Sequence, residues 1–347
     1  MSETLLLAAL GRRNAHRPPV WFMRQAGRYH RHYQALRARH EFIALCKQPA
    51  LAAEVTMGPI EEFGFDAAIL FSDLLFPLEA LGMGLRYEPG PKLDWYLRSR
   101  TDLHRLRDRA QALPHLEFQA EAIGALRPRL GLERALIGFV GGPFTLYAYA
   151  VAGSHEGFAR QELPGLEDGL YEGFCERLLD LLADNMVLQA RAGADSIALF
   201  DTAAGSLDPA RFARHAVPAL AHVVARFRVY CPHTPLIYYS RDTGPEHWRF
   251  LEPLDLQCLG VDWRHDLADT LSAQTSRWCL QGNLDPNWLL LPAGELEERV
   301  RAVFAKVAAL PAGTKCAWVC GLGHGVLPQT PESNVRLVLK IQREMFS

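Results

Sequence analysis

The sequence contains few lysines, no long apolar run and no regular spacing of cysteines. Lysine occurs only at positions 47, 92, 306, 315 and 340, so arginine carries most of the positive charge. Arginine presents a planar fork of donors that suits carboxylate or phosphate, whereas lysine supplies a tunable amine. Because no lysine follows a predicted strand, a barrel enzyme that works through a lysine Schiff base is not expected.

The charge balance and the apolar runs exclude two classes of partner. A formal net charge of −2 over 347 residues gives no global field that would draw the protein to nucleic acid or to an anionic membrane. No stretch reaches the roughly 18 uninterrupted apolar residues that a membrane span needs. The start, "MSETLLLAALGRR", has its basic residues after its apolar run, and we interpret it as a first helix rather than a signal peptide.

The seven cysteines are scattered and odd in number. This pattern disfavours a disulfide framework and favours a reducing, cytoplasmic setting. Cys231 and His233 precede a predicted strand, so we expect them at the opposite rim from residues that follow strands. We therefore predict no metal site.

Eight short apolar runs alternate with longer segments of helical spacing, which indicates a parallel sheet covered by helices. The runs are residues 19–24, 66–71, 136–141, 196–201, 235–240, 258–263, 278–283 and 316–321. This count predicts an α/β fold of the TIM type, a (β/α)8 barrel forming one domain over residues 1–347, with an open doubly wound sheet as the alternative. The segments after the second and third runs are long, and 87–108 is predicted to form part of a lid.

In a barrel the chemistry lies at the carboxyl ends of the strands. The first run ends in "RQAGR", where Gly27 would let the chain turn between Arg24 and Arg28. The two arginines are suited to two carboxylates or one phosphate. The alternative is a pair of surface arginines in salt bridges.

Asp73 follows the second run, and locally it is best interpreted as a helix N-cap, although Ser72 could supply the cap instead. Pro143 suits the first turn of a helix whose free amides could face an anion. Further along that helix, Tyr149 is by itself more typical of packing than of chemistry.

Two further strand ends carry polar residues. Capping is the favoured local interpretation of Asp201 and Thr202. His324 lies between glycines 323 and 325, which supply no walls for a packed ring, so a functional role is favoured.

Taken together, these strand ends resemble the uroporphyrinogen decarboxylases. The matching segments span residues 19 to 335 in the family's order. They are "PVWFMRQAGRY", "FSDLLFPLEALGMGL", "LIGFVGGPFTLYAYAVAGS", "LFDTAAGSL", "GVDW", "LQGNLDP" and "LGHGVLPQTPESNV".

The resemblance implies a single-domain barrel, usually a homodimer, that works without a metal or organic cofactor. It implies removal of the carboxyl groups from the four acetate arms of uroporphyrinogen III, giving coproporphyrinogen III. The pyrrole, protonated on a ring carbon, would serve as electron sink.

The resemblance also implies roles for residues of this chain. Asp73 matches the carboxylate that accepts hydrogen bonds from the pyrrole NH groups and stabilises the cationic intermediate, which displaces the cap interpretation. Arg24 and Arg28 match arginines that bind substrate carboxylates, and Arg24 is also a candidate for assisting protonation and carboxylate loss. The remaining matched positions are the backbone of Gln25, Ala26 and Gly27 along the pocket, Tyr149 and His324 near the reacting arm, and a hydroxyl at Thr202.

The sequence departs from the family pattern at several places. "HRHY" at 30–33 replaces the usual "LPEY" and is expected to add basic groups near the rim. Gly321, Ala203 and Arg241 stand where asparagine, tryptophan and lysine are common. Two alternatives remain open: a zinc- and corrinoid-dependent methyltransferase of the same fold, and an inactive porphyrinogen-binding paralogue.

Overall fold

The computed structural model describes residues 3–88, 90–154 and 163–346. Seven parallel strands form one curled sheet, ordered β1-β4-β5-β6-β7-β8-β9, and a two-stranded antiparallel ribbon, β2 and β3, lies outside it. The strands are β1 Ala67–Ile69, β2 Arg86–Tyr87, β3 Pro91–Lys92, β4 Ala135–Gly141, β5 Ser196–Phe200, β6 Leu236–Tyr239, β7 Cys258–Gly260, β8 Cys279–Leu284 and β9 Trp318–Leu322.

Helices connect successive strands of the sheet, as the alternating pattern predicts. The helices are α1 Leu5–Leu10, α2 Arg31–Arg37, α3 Phe42–Lys47, α4 Pro49–Phe63, α5 Phe76–Ala80, α6 Arg109–Ala112, α7 Glu117–Leu130, α8 Pro143–Ala152, α9 Leu170–Arg191, α10 Pro209–Arg211, α11 Val217–Tyr230, α12 Pro245–Trp248, α13 Leu267–Gln274, α14 Ala293–Ala308, α15 Ala312–Lys315 and α16 Glu332–Phe346. Within the described ranges, none of them combines the length and the apolar composition that crossing a bilayer requires.

The strands are mostly apolar because both faces of the sheet are covered. Every residue of β4, β5, β6 and β8 is buried. Seven of the eight predicted strands are confirmed, and all seven run parallel, so their carboxyl ends meet at one edge.

The first predicted strand is shorter than expected. Val20 forms a single parallel bridge with Cys320 of β9. The Cys320 amide donates to Pro19 O at 2.9 Å, and the Asp66 amide donates to Val20 O at 2.9 Å on the other side. The segment therefore bonds to both edges of the sheet. It makes few ladder bonds because proline has no amide hydrogen and the chain soon turns, with the Gln25 amide donating to Phe22 O at 2.9 Å.

The predicted lid segment packs on α8. The Leu97 amide donates to Ala150 O at 2.9 Å, and the indole of Trp95 donates to Gly82 O at 3.0 Å. The long segment after the third run is described only in part, because residues 155–162 lie outside the described ranges.

The helical segment between β5 and β6 is not continuous. Asp208 caps it by accepting from the Arg211 amide at 2.9 Å. A π-helical turn, Phe212–Ala216, then separates α10 from α11.

Candidate active site

Arg24 has a left-handed backbone, with φ of 63°, at the end of the first buried segment. The sequence suggests that Gly27 supplies the unusual backbone conformation of this turn, but in the structure Arg24 supplies it. Its side-chain stem lies against Gly325, where an added Cβ would overlap the Arg24 side chain. The glycine after His324 thus makes room for Arg24, and the end of the first buried segment meets the loop after β9 at this contact.

Arg24 and Arg28 are both exposed. Neither has a carboxylate within ion-pair distance among the described residues. The salt-bridge alternative therefore finds no support in this part of the chain. Two guanidinium groups without anionic partners remain available to a charged ligand.

The three residues between the arginines have different surroundings. Gln25 is 1% exposed, and its side chain accepts from the Phe22 amide at 3.1 Å and donates to Ala67 O at 3.0 Å. Its side chain therefore joins the first segment to β1, and only its backbone can line a pocket. Ala26 and Gly27 are half-buried.

Asp73 follows β1 and is half-buried at the carboxyl end of the sheet. One oxygen, Oδ1, accepts from the Leu75 amide at 2.8 Å, just before α5. Ser72 is not the cap, because its hydroxyl accepts from Gln119 at 2.8 Å. Asp73 therefore has a local hydrogen bond and a place at the mouth, whereas sequence reasoning treated these as alternatives.

Burial raises the pKa of Asp73, and the Leu75 amide and the charge of Arg24 act in the opposite direction. The carboxylate thus lies in the field of Arg24, which connects two residues that are 49 positions apart. This arrangement places one negative and one positive group at the same strand ends.

His324 is oriented by Tyr239, a buried residue at the end of β6. The two rings stack with centroids 5.8 Å apart. The Tyr239 hydroxyl donates to Gly323 O at 2.7 Å and lies 3.1 Å from Nδ1 of His324. Because its one proton goes to the carbonyl, the hydroxyl is placed to accept from Nδ1–H of His324. Sequence reasoning missed Tyr239, although it ends an apolar run.

Asp201 is fully buried and connects the loop of Thr202 to the helix of Tyr149. The Thr145 amide, in the first turn of α8, donates to Asp201 Oδ1 at 2.7 Å. The Thr145 hydroxyl in turn accepts from the Ala203 amide at 3.0 Å. Asp201 is therefore a cap, as expected locally, but it caps α8 rather than the 3-10 helix that begins at Thr202.

This contact changes the interpretation of α8. An amide of its first turn, predicted to be open to an external anion, is occupied by Asp201. Burial raises the pKa of Asp201 to about 6, and the amides of Thr145 and Phe144 oppose that rise. An Asp201 side chain also lies so close to Gly142 that an added Cβ there would overlap it.

The structure thus brings Arg24, Asp73 and His324 to one edge of the sheet. Thr202 and Tyr149, both half-buried, enter from the neighbouring ends of β4 and β5. The Asp201 amide, which donates to Tyr239 O at 2.8 Å, connects the two groups.

Comparison with known proteins identifies the family of the chain. The family described as "Uroporphyrinogen decarboxylase (URO-D)" matches residues 1–345. The chain belongs to this family. It is 35% identical over 351 residues to the uroporphyrinogen decarboxylase of Roseiflexus sp. (strain RS-1), covering 99% of each chain. It is 37% identical to that of Chloroflexus aggregans, covering 96% of this chain and 93% of the relative.

Among solved structures, a methyltransferase from Methanosarcina mazei superposes with a TM-score of 0.76 over 99% of both chains. Its sequence identity is 20%, so this likeness concerns the fold alone. The curled parallel sheet is therefore shared by proteins outside the uroporphyrinogen decarboxylases, and function rests on the residues at the strand ends.

The "HRHY" segment departs from the usual uroporphyrinogen decarboxylase pattern and is expected from the sequence to add basic groups near the rim. In the structure its first two residues, His30 and Arg31, instead contact acidic residues of the outer helices. His30 is fully buried, and its Nε2 lies 2.5 Å from Glu62 on α4. Arg31 contacts Glu332 on α16 at 3.2 Å. The segment faces the outer helices because these two acidic residues lie there.

The same acidic residues form the one group of potential metal ligands in the described ranges, His30, Glu62 and Glu332. Arg336 binds Glu62, and Arg31 binds Glu332. Because both carboxylates have arginine partners, this cluster does not favour a cation, and it lies away from the strand ends. All seven cysteines, each within the described residues, are free thiols.

Proposed function

We propose that this protein is a uroporphyrinogen decarboxylase that converts uroporphyrinogen III to coproporphyrinogen III. The observation that carries the proposal is Asp73, a half-buried carboxylate in the field of Arg24 at the strand ends of a chain of this family. The family resemblance assigns the hydrogen bonds from the pyrrole NH groups to this carboxylate.

The chemistry balances without a redox partner. For each acetate arm, a proton adds to a ring carbon of the pyrrole and creates a cationic electron sink. The bond to the carboxylate breaks, carbon dioxide leaves, and the electron pair flows into the ring system. A proton then adds to the exocyclic carbon and the ring carbon loses its proton, so one arm plus one proton gives a methyl group and carbon dioxide. Because the substrate itself is the electron sink, the proposal needs no metal or organic cofactor.

The residues at the mouth have complementary parts in this scheme. Asp73 would stabilise the cationic ring, and Arg24 and Arg28 would hold the substrate carboxylates. Arg24, which lies against Gly325, is also a candidate for assisting proton transfer and carboxylate loss. His324 and Tyr149 would contact the reacting arm, with Thr202 and the backbone of Gln25 to Gly27 completing the pocket.

The proposal includes the finer architecture that the family implies. The bonds of Val20 to both β9 and β1 support a first strand that completes an eight-stranded barrel, forming one domain over residues 1–347. We further propose a cytoplasmic homodimer without nucleic-acid or membrane partners. Sedimentation at micromolar concentration tests the dimer, and a monomer would contradict it.

The test of function is anaerobic incubation with uroporphyrinogen III, with the products separated by their number of carboxyl groups. We expect seven-, six-, five- and four-carboxyl species to appear in turn with no added cofactor. Tight binding without conversion would support the inactive paralogue and overturn the proposal. No loss of carboxyl groups, together with stoichiometric zinc in the purified protein, would overturn it in favour of the methyltransferase.

A further inference from the structure

Tyr87, at the end of β2 in the predicted lid segment, has a buried hydroxyl with an unusual environment. Its ring packs on Phe42 with centroids 4.4 Å apart, and Phe42 in turn packs on Phe71, at 5.8 Å, close to Asp73 in the chain. Within the described ranges the hydroxyl has no partner at full hydrogen-bond geometry. A buried hydroxyl without a partner is costly, so its position calls for an explanation.

The group beside this hydroxyl is the carboxylate of Asp73. Burial raises the pKa of Tyr87, and the charge of Asp73 raises it further, so the hydroxyl keeps its proton and is a donor. Conversely, the hydroxyl acts to lower the pKa of Asp73. The two groups lie close enough to act on each other, although within the described residues the hydroxyl has no partner at full hydrogen-bond geometry.

Other groups around the pair come from three further elements. Arg24, in the loop after the first segment, is a cation acting on Asp73. Cys46 of α3 is buried, and burial raises its pKa well above the usual value, so it stays a neutral thiol. Glu79 of α5 acts on Tyr87 but is neutralised by Lys47 at 2.6 Å. Within the described residues, Tyr87 is therefore a neutral side-chain donor that acts on this carboxylate from the 87–108 segment.

We propose that Tyr87 is a positioning residue of the active site, whose hydroxyl donates to Asp73 and holds it ionised and oriented toward the substrate pyrroles. The effect on catalysis rests on the proposed function. The contact between Tyr87 and Asp73 does not, because it involves only two side chains of this chain. Leu75 already fixes Oδ1 from one side, at 2.8 Å. A second donor from the β2–β3 ribbon fixes the carboxylate along another direction and couples it to the lid segment.

The substitution Tyr87→Phe removes the hydroxyl and keeps the ring that packs on Phe42. We expect the acidic limb of the kcat/KM profile against pH to move upward by about one pH unit, the size of one charge-assisted hydrogen bond. Activity on the alkaline side of that limb should stay within about threefold of wild type, because Asp73 is ionised there in both proteins.

The matched control is Tyr33→Phe. Tyr33 belongs to the same aromatic group, with its ring 5.5 Å from Phe71, but Asp73 is not among the charges that act on it. The control should leave the acidic limb in place. An unmoved limb in Tyr87→Phe, or an equal shift in both variants, would overturn the inference.

A second measurement separates this inference from the proposed function. Carbon-13 carboxyl titration of aspartate-labelled protein, with Asp73→Asn to assign the signal, reports Asp73 without any substrate. We expect Asp73 to titrate at higher pH in Tyr87→Phe than in wild type. That result would support the contact even if uroporphyrinogen were not turned over, and identical titration in the two proteins would refute it.

Discussion

At the amino ends of the strands, arginines and aspartates form close pairs. Arg17 binds both oxygens of Asp66 at 2.6 and 2.7 Å, and the same carboxylate accepts from the Val20 amide at 2.8 Å. Arg127 binds Asp195 at 2.6 Å just before β5. These pairs connect neighbouring segments of the chain, and each charge in them is neutralised by its partner.

At the carboxyl ends, several charges of the same types lack such pairs. Arg24 and Arg28 have no carboxylate within ion-pair distance in the described ranges, and burial raises the pKa values of Asp73 and Asp201. Asp262 is the contrast at this end. It is bound by Arg264 at 2.9 Å, and the hydrogen bonds and charge of Arg264 outweigh burial and lower its pKa. The amino end therefore holds its charges in pairs that connect segments of the chain, whereas Arg24 and Arg28 at the mouth lack such pairs within the described ranges, which suits them to an anionic ligand.

The largest effect is expected for Asp73→Asn. The amide can still accept from the Leu75 amide, but it has no charge to stabilise a cationic ring. We expect turnover to fall by about 10³-fold or more with the melting temperature nearly unchanged. Anaerobic product analysis and thermal unfolding check this, and wild-type activity in the variant would remove Asp73 from its assigned role.

A second prediction concerns Asp201 and pH. Its folded pKa of about 6 lies above the unfolded value of 3.8, so the folded state binds the proton more tightly. The stability from this site is therefore full below about pH 3.8 and is lost as pH rises through about 6, a change of ~3 kcal/mol. Urea unfolding from pH 4 to 7 should show this fall in wild type and not in Asp201→Asn.

Asp262→Asn is the control for that experiment. The pKa of Asp262 is lowered, so the stability it contributes is present above the unfolded value and is lost only at more acidic pH. Its substitution should leave the slope between pH 4 and 6 as in wild type. An unaltered slope in Asp201→Asn would contradict the raised pKa.

Paired variants of arginine compare the two ends directly. Arg17→Gln, at the amino end, should lower the free energy of unfolding by about 2 kcal/mol because it breaks a bidentate pair that is partly screened by solvent. It should leave kcat/KM of the folded protein unchanged. Arg24→Gln should do the reverse, with kcat/KM reduced about 10- to 100-fold and little change in unfolding. Equal losses of stability in the two variants would contradict the distinction between paired charges at the amino end and unpaired charges at the carboxyl end.

The smallest effect is expected for Arg31→Gln in the "HRHY" segment. Arg31 is 82% exposed in its contact with Glu332, and such surface pairs contribute less than about 1 kcal/mol. Both urea unfolding and kcat/KM should match wild type. A raised KM would show that this segment reaches the substrate after all.

Sequence reasoning located the strands better than the contacts between them. Seven of the eight apolar runs are strands of the sheet, because burial on both faces leaves an unmistakable apolar pattern. The first run is not a regular strand. Its prolines lack amide hydrogens and its chain soon turns, and the apolar pattern reveals neither effect. The site residues were found from their places after strands, and their roles remain predictions.

What the sequence determined by itself is the alternation of strands and helices, the family, and the list of polar residues that follow the strands. Only the tertiary structure decided which of those residues meet. The stacking of Tyr239 on His324 joins positions 85 apart, and the bond from Thr145 to Asp201 joins positions 56 apart. Such contacts depend on how the sheet curls and how α8 and the lid segment pack, and local pattern carries no information about distances across a curled sheet. For the same reason Tyr87, which looks like a surface residue in the sequence, lies beside Asp73 in the folded protein.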